Sequence, residues 1–163
     1  MNYYIIIRGP LSIGKSTISK KLGDILNADY ISIDKILEEN KLDSVVGKGI
    51  PLENFIKGNN IVIPEIKNKL RGKIVIIDGC FYHKEQIDHF IKNLKSKYFI
   101  FTLKASLDTC IKRDSKRNKS YGKEAATGVF SMVSKFDYGK IIETDDKTVK
   151  ETVNEILENL EKN

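Results

Sequence analysis

The sequence predicts an α/β protein in which short parallel strands alternate with amphipathic helices around one core. Three observations carry that expectation. Apolar runs of five or six residues, rich in Ile, Val, Tyr and Phe, recur along the chain, and continuous apolar runs mark strands covered on both faces. Longer segments between them repeat apolar residues at three- and four-residue intervals, the period of a helix with one buried face. The length of 163 residues suits one domain able to bury a core without staples.

In chain order, Tyr3-Tyr4-Ile5-Ile6-Ile7 is the first strand. Gly14 to about Leu26 follows as a helix, with Ile18, Leu22, Ile25 and Leu26 on one face. Tyr30 to Ile33 reads as a second strand ending at Asp34. From Lys35 to Leu70, Gly47, Gly49, Pro51, Gly58 and Pro64 break the pattern, so short helical pieces of an irregular insertion are expected. Ile74 to Ile77 is a third strand closing on Asp78-Gly79, and Ile87, Phe90, Ile91 and Leu94 share the face of the next helix. Tyr98 to Leu103 is a fourth strand, followed by a helix that Ser106 can cap and that carries Leu107, Cys110 and Ile111. Residues 114 to 128 hold almost no large apolar side chain and read as a solvent-facing, mobile segment. Val129 to Phe136 returns to partial helix and Ile141-Ile142 is a short fifth strand. Val149, Val153, Ile156, Leu157 and Leu160 define a closing amphipathic helix.

Cys80 and Cys110 are the only cysteines, too few for a disulfide framework and outside CxxC spacing. The early apolar run Tyr3–Ile7 is too short for a signal core or a membrane span. A soluble cytoplasmic protein that keeps its N-terminus, and has no membrane partner, is therefore expected. Lys and Arg number 28 against 22 Asp and Glu, a formal +6, which admits nucleic acid, anionic membrane or a phosphorylated small molecule as partner. Its distribution is uneven. Residues 112 to 123 hold Lys112, Arg113, Lys116, Arg117, Lys119 and Lys123 against Asp114 alone, a local +5 that leaves the rest of the chain at +1. One cationic segment favours a local anion such as a triphosphate over a broad nucleic-acid surface.

The chemistry is concentrated first in Gly9-Pro10-Leu11-Ser12-Ile13-Gly14-Lys15-Ser16-Thr17, which fits G-x-x-x-x-G-K-[ST] between an expected strand and an expected helix. Glycines let backbone wrap phosphate oxygens, the helix N-terminus presents positive dipole, and Lys15 reaches the terminal phosphates. Ser16 offers a hydroxyl to Mg²⁺, and Asp78, at the end of an apolar run, is placed to hold the same ion directly or through water. Asp34 also ends an expected strand. Carboxyl ends of parallel strands share one edge, so Asp34 would meet the phosphate loop there, either accepting a proton from an attacking hydroxyl or capping the helix after it. Arg113 and Arg117, two of only four arginines, lie four apart, hence on one helical face, and offer forked donors to phosphoryl charge.

These residues together resemble the small P-loop kinases, which include nucleoside monophosphate kinases, shikimate and gluconate kinases and the chloramphenicol phosphotransferases. The resemblance implies a three-layer P-loop NTPase fold with a five-stranded parallel sheet of order 2-3-1-4-5. It implies a single domain over residues 1–163, an acceptor site over about 35–70, a lid near 113–127 and an adenine-contacting loop near 143–147. It implies an ATP- and Mg²⁺-dependent phosphotransferase acting on a hydroxyl of a small metabolite, nucleoside or nucleotide, with Lys15, Asp34, Arg113 and Arg117 catalytic, as monomer or dimer. Residues 35–70 contain no arginine, so a monophosphate acceptor is less favoured. Phe81 and Tyr82 either wall the acceptor pocket or belong to the core, and His83 reads as a surface or capping residue. Asn118-Lys119-Ser120-Tyr121 lacks the aspartate of a GTPase base-recognition tetrad. Two alternatives stay open: a polynucleotide 5′-hydroxyl kinase, with nucleic acid the less favoured partner, and a nucleotide-binding regulator or ATPase without an acceptor.

Overall fold

The computed structural model describes residues 2–162. Five strands, β1 (Tyr4–Arg8), β2 (Asp29–Ser32), β3 (Val75–Gly79), β4 (Tyr98–Lys104) and β5 (Lys140–Glu143), form one sheet of order β2-β3-β1-β4-β5. All four pairings are parallel, so every strand end that matters to function lies on one edge. Seven helices accompany them among the described residues: α1 (Lys15–Leu26), α2 (Ile33–Glu39), α3 (Leu52–Lys69), α4 (Lys84–Leu94), α5 (Leu107–Ser115), α6 (Lys123–Val133) and α7 (Val149–Glu161).

Period-two geometry divides the central strands between two cores. Tyr4, Ile6, Val75 and Ile77 face one side with Leu37, Phe55, Ile66, Ile87 and Phe90. Ile5, Ile7 and Ile76 face the other with Ile18, Leu22, Cys110, Val153 and Ile156. The result is three layers, and the apolar runs are continuous because neither face of β1 or β3 meets water. Caps fix several helix starts: the Ser106 side chain accepts from Thr109 N at 3.2 Å, and Thr148 and Glu151 form a reciprocal capping box ahead of α7.

Three expectations need correction. Residues 52–69 are one continuous 18-residue helix, α3, rather than short pieces. Pro64 and Gly58 cost an interior helix roughly 3 and 1 kcal/mol, but Phe55, Val62, Ile63 and Ile66 of α3 are buried, at about 1.5–3 kcal/mol each, and burial wins. Gly58 has a packing reason, since a Cβ there would lie 2.9 Å from Leu37 Cδ2; the missing side chain lets α2 settle on α3. Second, β2 ends one residue early. The Ser32 hydroxyl accepts from Lys35 N at 3.4 Å and caps α2, so Asp34 lies in the first helical turn and not at a strand end. Third, α6 begins at Lys123, six residues before the expected partial helix, with Ala126 and Val133 buried.

Candidate active site

β1 runs through the middle of the sheet and delivers residues 9–17 to its carboxyl edge. The loop is tightly seated. A Cβ on Gly9 would lie 3.0 Å from Ile13 Cγ2 and 3.2 Å from the Leu103 carbonyl of β4. Gly14 caps α1 with φ 106°, a left-handed conformation that strains any residue with a side chain. The first-turn amides of α1 have no intrahelical partner and belong to the positive end of the helix. Lys15 is largely buried, and its ammonium donates to the Pro10 carbonyl at 2.7 Å, holding the charge across the mouth of the loop. This arrangement, glycines at the tight points, first-turn amides and a tethered ammonium, has the geometry that suits phosphate oxygens.

Asp78 is buried at the end of β3, in register with Ile7 of β1 and Ser32 of β2. Tyr30 donates its phenol proton to Asp78 Oδ2 at 2.6 Å. Burial pushes the Asp78 carboxyl up from its ordinary range; the Tyr30 hydrogen bond, the Lys15 charge and Ser16 pull the other way, and the Asp34 charge adds to the rise. The Tyr30 phenol is pushed up to about 12, by burial first and by its bond to Asp78 second. The Cys80 thiol is pushed up to about 11 by burial, with Lys15 lowering it and Asp34 and Asp78 raising it. Lys15, Ser16, Asp34, Asp78 and Cys80 thus share one electrostatic neighbourhood, although Asp34 reaches it from a helix.

The two arginines part company. Helix α5 ends at Ser115, so Arg117 lies beyond it and the common helical face does not form. Arg113 donates to the Ile13 carbonyl at 3.0 Å and to the Thr144 carbonyl at 3.1 Å, tying the phosphate loop to the segment after β5. Arg117 lies over the Tyr121 ring at 4.9 Å on the exposed α5–α6 connection.

Two site residues escape the sequence reading. Asp114, almost wholly buried, accepts from Ser12 Oγ (2.8 Å), Ser120 Oγ (2.5 Å), Tyr121 N (3.1 Å) and Gly122 N (3.0 Å). Those hydrogen bonds, the Ser120 hydroxyl first, hold its carboxyl down at about 2. Asp114 therefore fastens the phosphate loop to the turn that starts α6; being the lone acid in the 112–123 segment was its signal. Arg8 is fully buried at the end of β1 and donates to Phe81 O (3.3 Å), Thr102 Oγ1 (3.1 Å), Phe136 O (3.1 Å) and Val133 O (2.9 Å), with Phe136 stacked 4.3 Å from the guanidinium. Burial lowers it to about 10. Its signal was a cation closing an apolar strand directly before the glycine-rich loop.

A cavity of about 930 Å³ opens beside the loop. Leu11, Asp34, Cys80 and Tyr82 line it, together with residues of the 43–50 segment and of α6. Tyr82 accepts from Ile50 N at 2.8 Å and His83 Nε2 donates to Ile50 O at 2.9 Å. These bonds pin the 43–50 segment, and a Cβ on Gly49 would lie 3.0 Å from Met132 of α6. Tyr82 therefore walls the cavity, Phe81 belongs to the core beside Phe90, and His83 is a structural donor.

Sheet order, glycine-rich loop and layered helices define a P-loop kinase fold. The family described as chromatin associated protein KTI12 matches residues 3–140, and this chain belongs to that family. A Pyrococcus furiosus protein that carries the provisional name adenylate kinase is 26% identical over 161 residues, covering 94% of this chain and 81% of that protein. Among solved structures, a sugar kinase from Janibacter sp. HTCC2649 superimposes with a TM-score of 0.77 at 14% identity, covering 99% of this chain and 95% of that one. The Mycobacterium tuberculosis APS kinase CysC, solved with AMPPNP and APS, gives 0.69 at 13% identity with 98% of each chain covered. At such identities these two structures establish the shared fold.

Proposed function

We propose that this protein is an ATP- and Mg²⁺-dependent phosphotransferase that moves the γ-phosphate to a hydroxyl held in the cavity beside Asp34. One observation carries the reading: the phosphate loop with its buried Lys15 opens directly onto a cavity that Leu11 of the loop and Asp34 both line. Residues 9–17 would hold the triphosphate, with Lys15 against its terminal oxygens.

The hydroxyl oxygen of the acceptor attacks the γ-phosphorus, the bond from that phosphorus to the β–γ bridging oxygen breaks, and ADP leaves. Asp34 takes the hydroxyl proton. The Ser16 hydroxyl and Asp78 carboxylate are hard oxygen donors that fit Mg²⁺. Among the described residues no group of three His, Cys, Asp or Glu could hold a metal ion; Ser16 and Asp78 are the residues that would hold Mg²⁺ here. When bound, Mg²⁺ supplies charge neutralisation at the phosphates. Arg113 acts through the loop it holds, and Arg117 on the 113–127 lid is left to meet phosphoryl charge on closure. Residues 35–70 form the acceptor side of one domain, and two free buried cysteines fit a cytoplasmic setting.

A second reading, a polynucleotide 5′-hydroxyl acceptor, is favoured by Tyr121. This half-exposed ring lines the cavity mouth under Arg117, among exposed Lys116, Lys119 and Lys123, which is the stacking-plus-cation arrangement of single-strand binders. The test for both is ADP release against nucleosides, nucleotides, sugars, other hydroxylated metabolites and RNA with 5′-hydroxyl ends. Acceptor-dependent release that Asp34→Asn abolishes supports phosphotransfer. ATP hydrolysis that no acceptor stimulates and Asp34→Asn leaves intact points instead to a nucleotide-binding regulator or ATPase.

A further inference from the structure

We infer that the acceptor cavity selects against anions, so that its substrate is a hydroxyl compound with an apolar body that is uncharged or carries an amine, and not a phosphorylated one. The inference rests on the phosphotransferase reading and narrows it. The charged side chains lining the cavity are Asp34, Glu38, Asp43 and Glu124 against Lys48 and Lys135, a net of two negative charges in a chain whose total is +6. An acidic excess thus stands next to the phosphate loop. A second anionic group brought into the cavity would meet those carboxylates as well as the triphosphate.

An account of the arginines points the same way, because arginine is the side chain whose fork matches a phosphate or carboxylate. None of the four lines the cavity. Arg8 is fully buried and spends its donors on three carbonyls and Thr102. Arg113 is committed to Ile13 and Thr144. Arg71 precedes β3 and so sits at the opposite, amino-terminal edge of the sheet. Arg117 lies outside over Tyr121. Leu37, Phe55, Val129 and Met132 also line the cavity, surfaces that reward an apolar or flat body and offer an anion no donor.

The experiment compares matched acceptors with the intact protein and MgATP: a nucleoside against its 5′-monophosphate, and a sugar against its amino and phosphate derivatives. The anionic member of each pair is expected to show kcat/KM at least about tenfold below its uncharged partner, with the amine equal or better. The gap should narrow in high salt, since all four carboxylates are solvent-exposed. In Glu38→Lys/Glu124→Lys the order should shift toward the anionic members; both positions are exposed, and an unchanged melting temperature verifies the fold. A wild-type preference for phosphorylated acceptors, or an order unmoved by the double charge reversal, overturns this inference and leaves the phosphotransferase reading standing. Stimulation by no acceptor of any charge overturns both.

Discussion

Replacing Asp114 by Asn removes one charge from a group that holds two parts of the site together. Its Oδ1 receives Ser12 Oγ and Tyr121 N, and its Oδ2 receives Ser120 Oγ and Gly122 N. An amide keeps one acceptor oxygen, so whichever way it turns, one backbone N–H faces an NH₂ group. One charge-assisted bond from a backbone N–H is lost, the serine hydroxyl facing the NH₂ turns to accept from it, and the bonds that remain become neutral. At roughly 1.5–3 kcal/mol for a bond to a charged group and 0.5–1.5 for a neutral one, less the water that can reach the freed groups, the net cost is about 2–4 kcal/mol. For a chain of this size that lowers the melting temperature by about 5–12 °C. The acid limb gives an independent check. The folded carboxyl lies at about 2, below the unfolded value of about 3.9, so its stabilisation is fully present above about pH 4 and is lost as pH falls through 2. Calorimetric melts of both proteins across pH 2–7 should therefore converge at the acid end and separate above about pH 4. Equal melting temperatures at neutral pH, or parallel curves at every pH, would refute the assignment of Asp114 as a buried charged anchor.

Arg8→Lys replaces a four-partner fork by one ammonium, and the carbonyls left behind predict a loss of about 2–4 kcal/mol in urea unfolding; a loss under about 0.5 kcal/mol would contradict the tie seen between β1, β4 and the end of α6. Gly58→Val drives a branched side chain into Leu37, which is fully buried, for an overpacking cost of about 1–3 kcal/mol, read in the same unfolding experiment. Asp78→Asn should weaken the Mg²⁺-dependent part of ATP-analogue binding by about tenfold or more while the affinity measured in chelator changes little. Equal weakening with and without Mg²⁺ would mean that Asp78 serves only as the partner of Tyr30.

The strands and the phosphate loop were legible because their signals are local: apolar runs buried on both faces, and a loop motif between a strand and a helix. Helix α3 was hidden because Gly58 and Pro64 act as breakers only where nothing buries the flanking apolar face, and that face packs on α2 and α4. The start of α6 was hidden because residues 123–128 carry small or charged side chains and no large apolar one; only Ala126 and Val133 of the helix are buried, and its preceding turn is fixed by Asp114, whose reach back to Ser12 spans 102 positions. Asp34 was read as a strand end because the Ser32 cap, which turns the chain into α2, looked like strand. The candidate site divides likewise. Lys15, Ser16 and Asp78 follow from spacing and from strand ends, whereas the cavity is assembled from Leu11, residues 34–55, Cys80, Tyr82 and α6. Its charge and shape exist only after folding, and so does the divergence of Arg113 from Arg117.

Passage of a phosphoryl group from ATP to a hydroxyl beside Asp34 is the step we propose. The most direct measurement follows the label from ATP carrying a radioactive γ-phosphate, with the acceptor panel, in wild type and Asp34→Asn, and resolves labelled products from inorganic phosphate. Label is expected on an acceptor hydroxyl in wild type, with a loss of that transfer by about 10²-fold or more in Asp34→Asn and ATP-analogue binding retained. Label appearing only as inorganic phosphate, at the same rate in both proteins, would contradict the proposal.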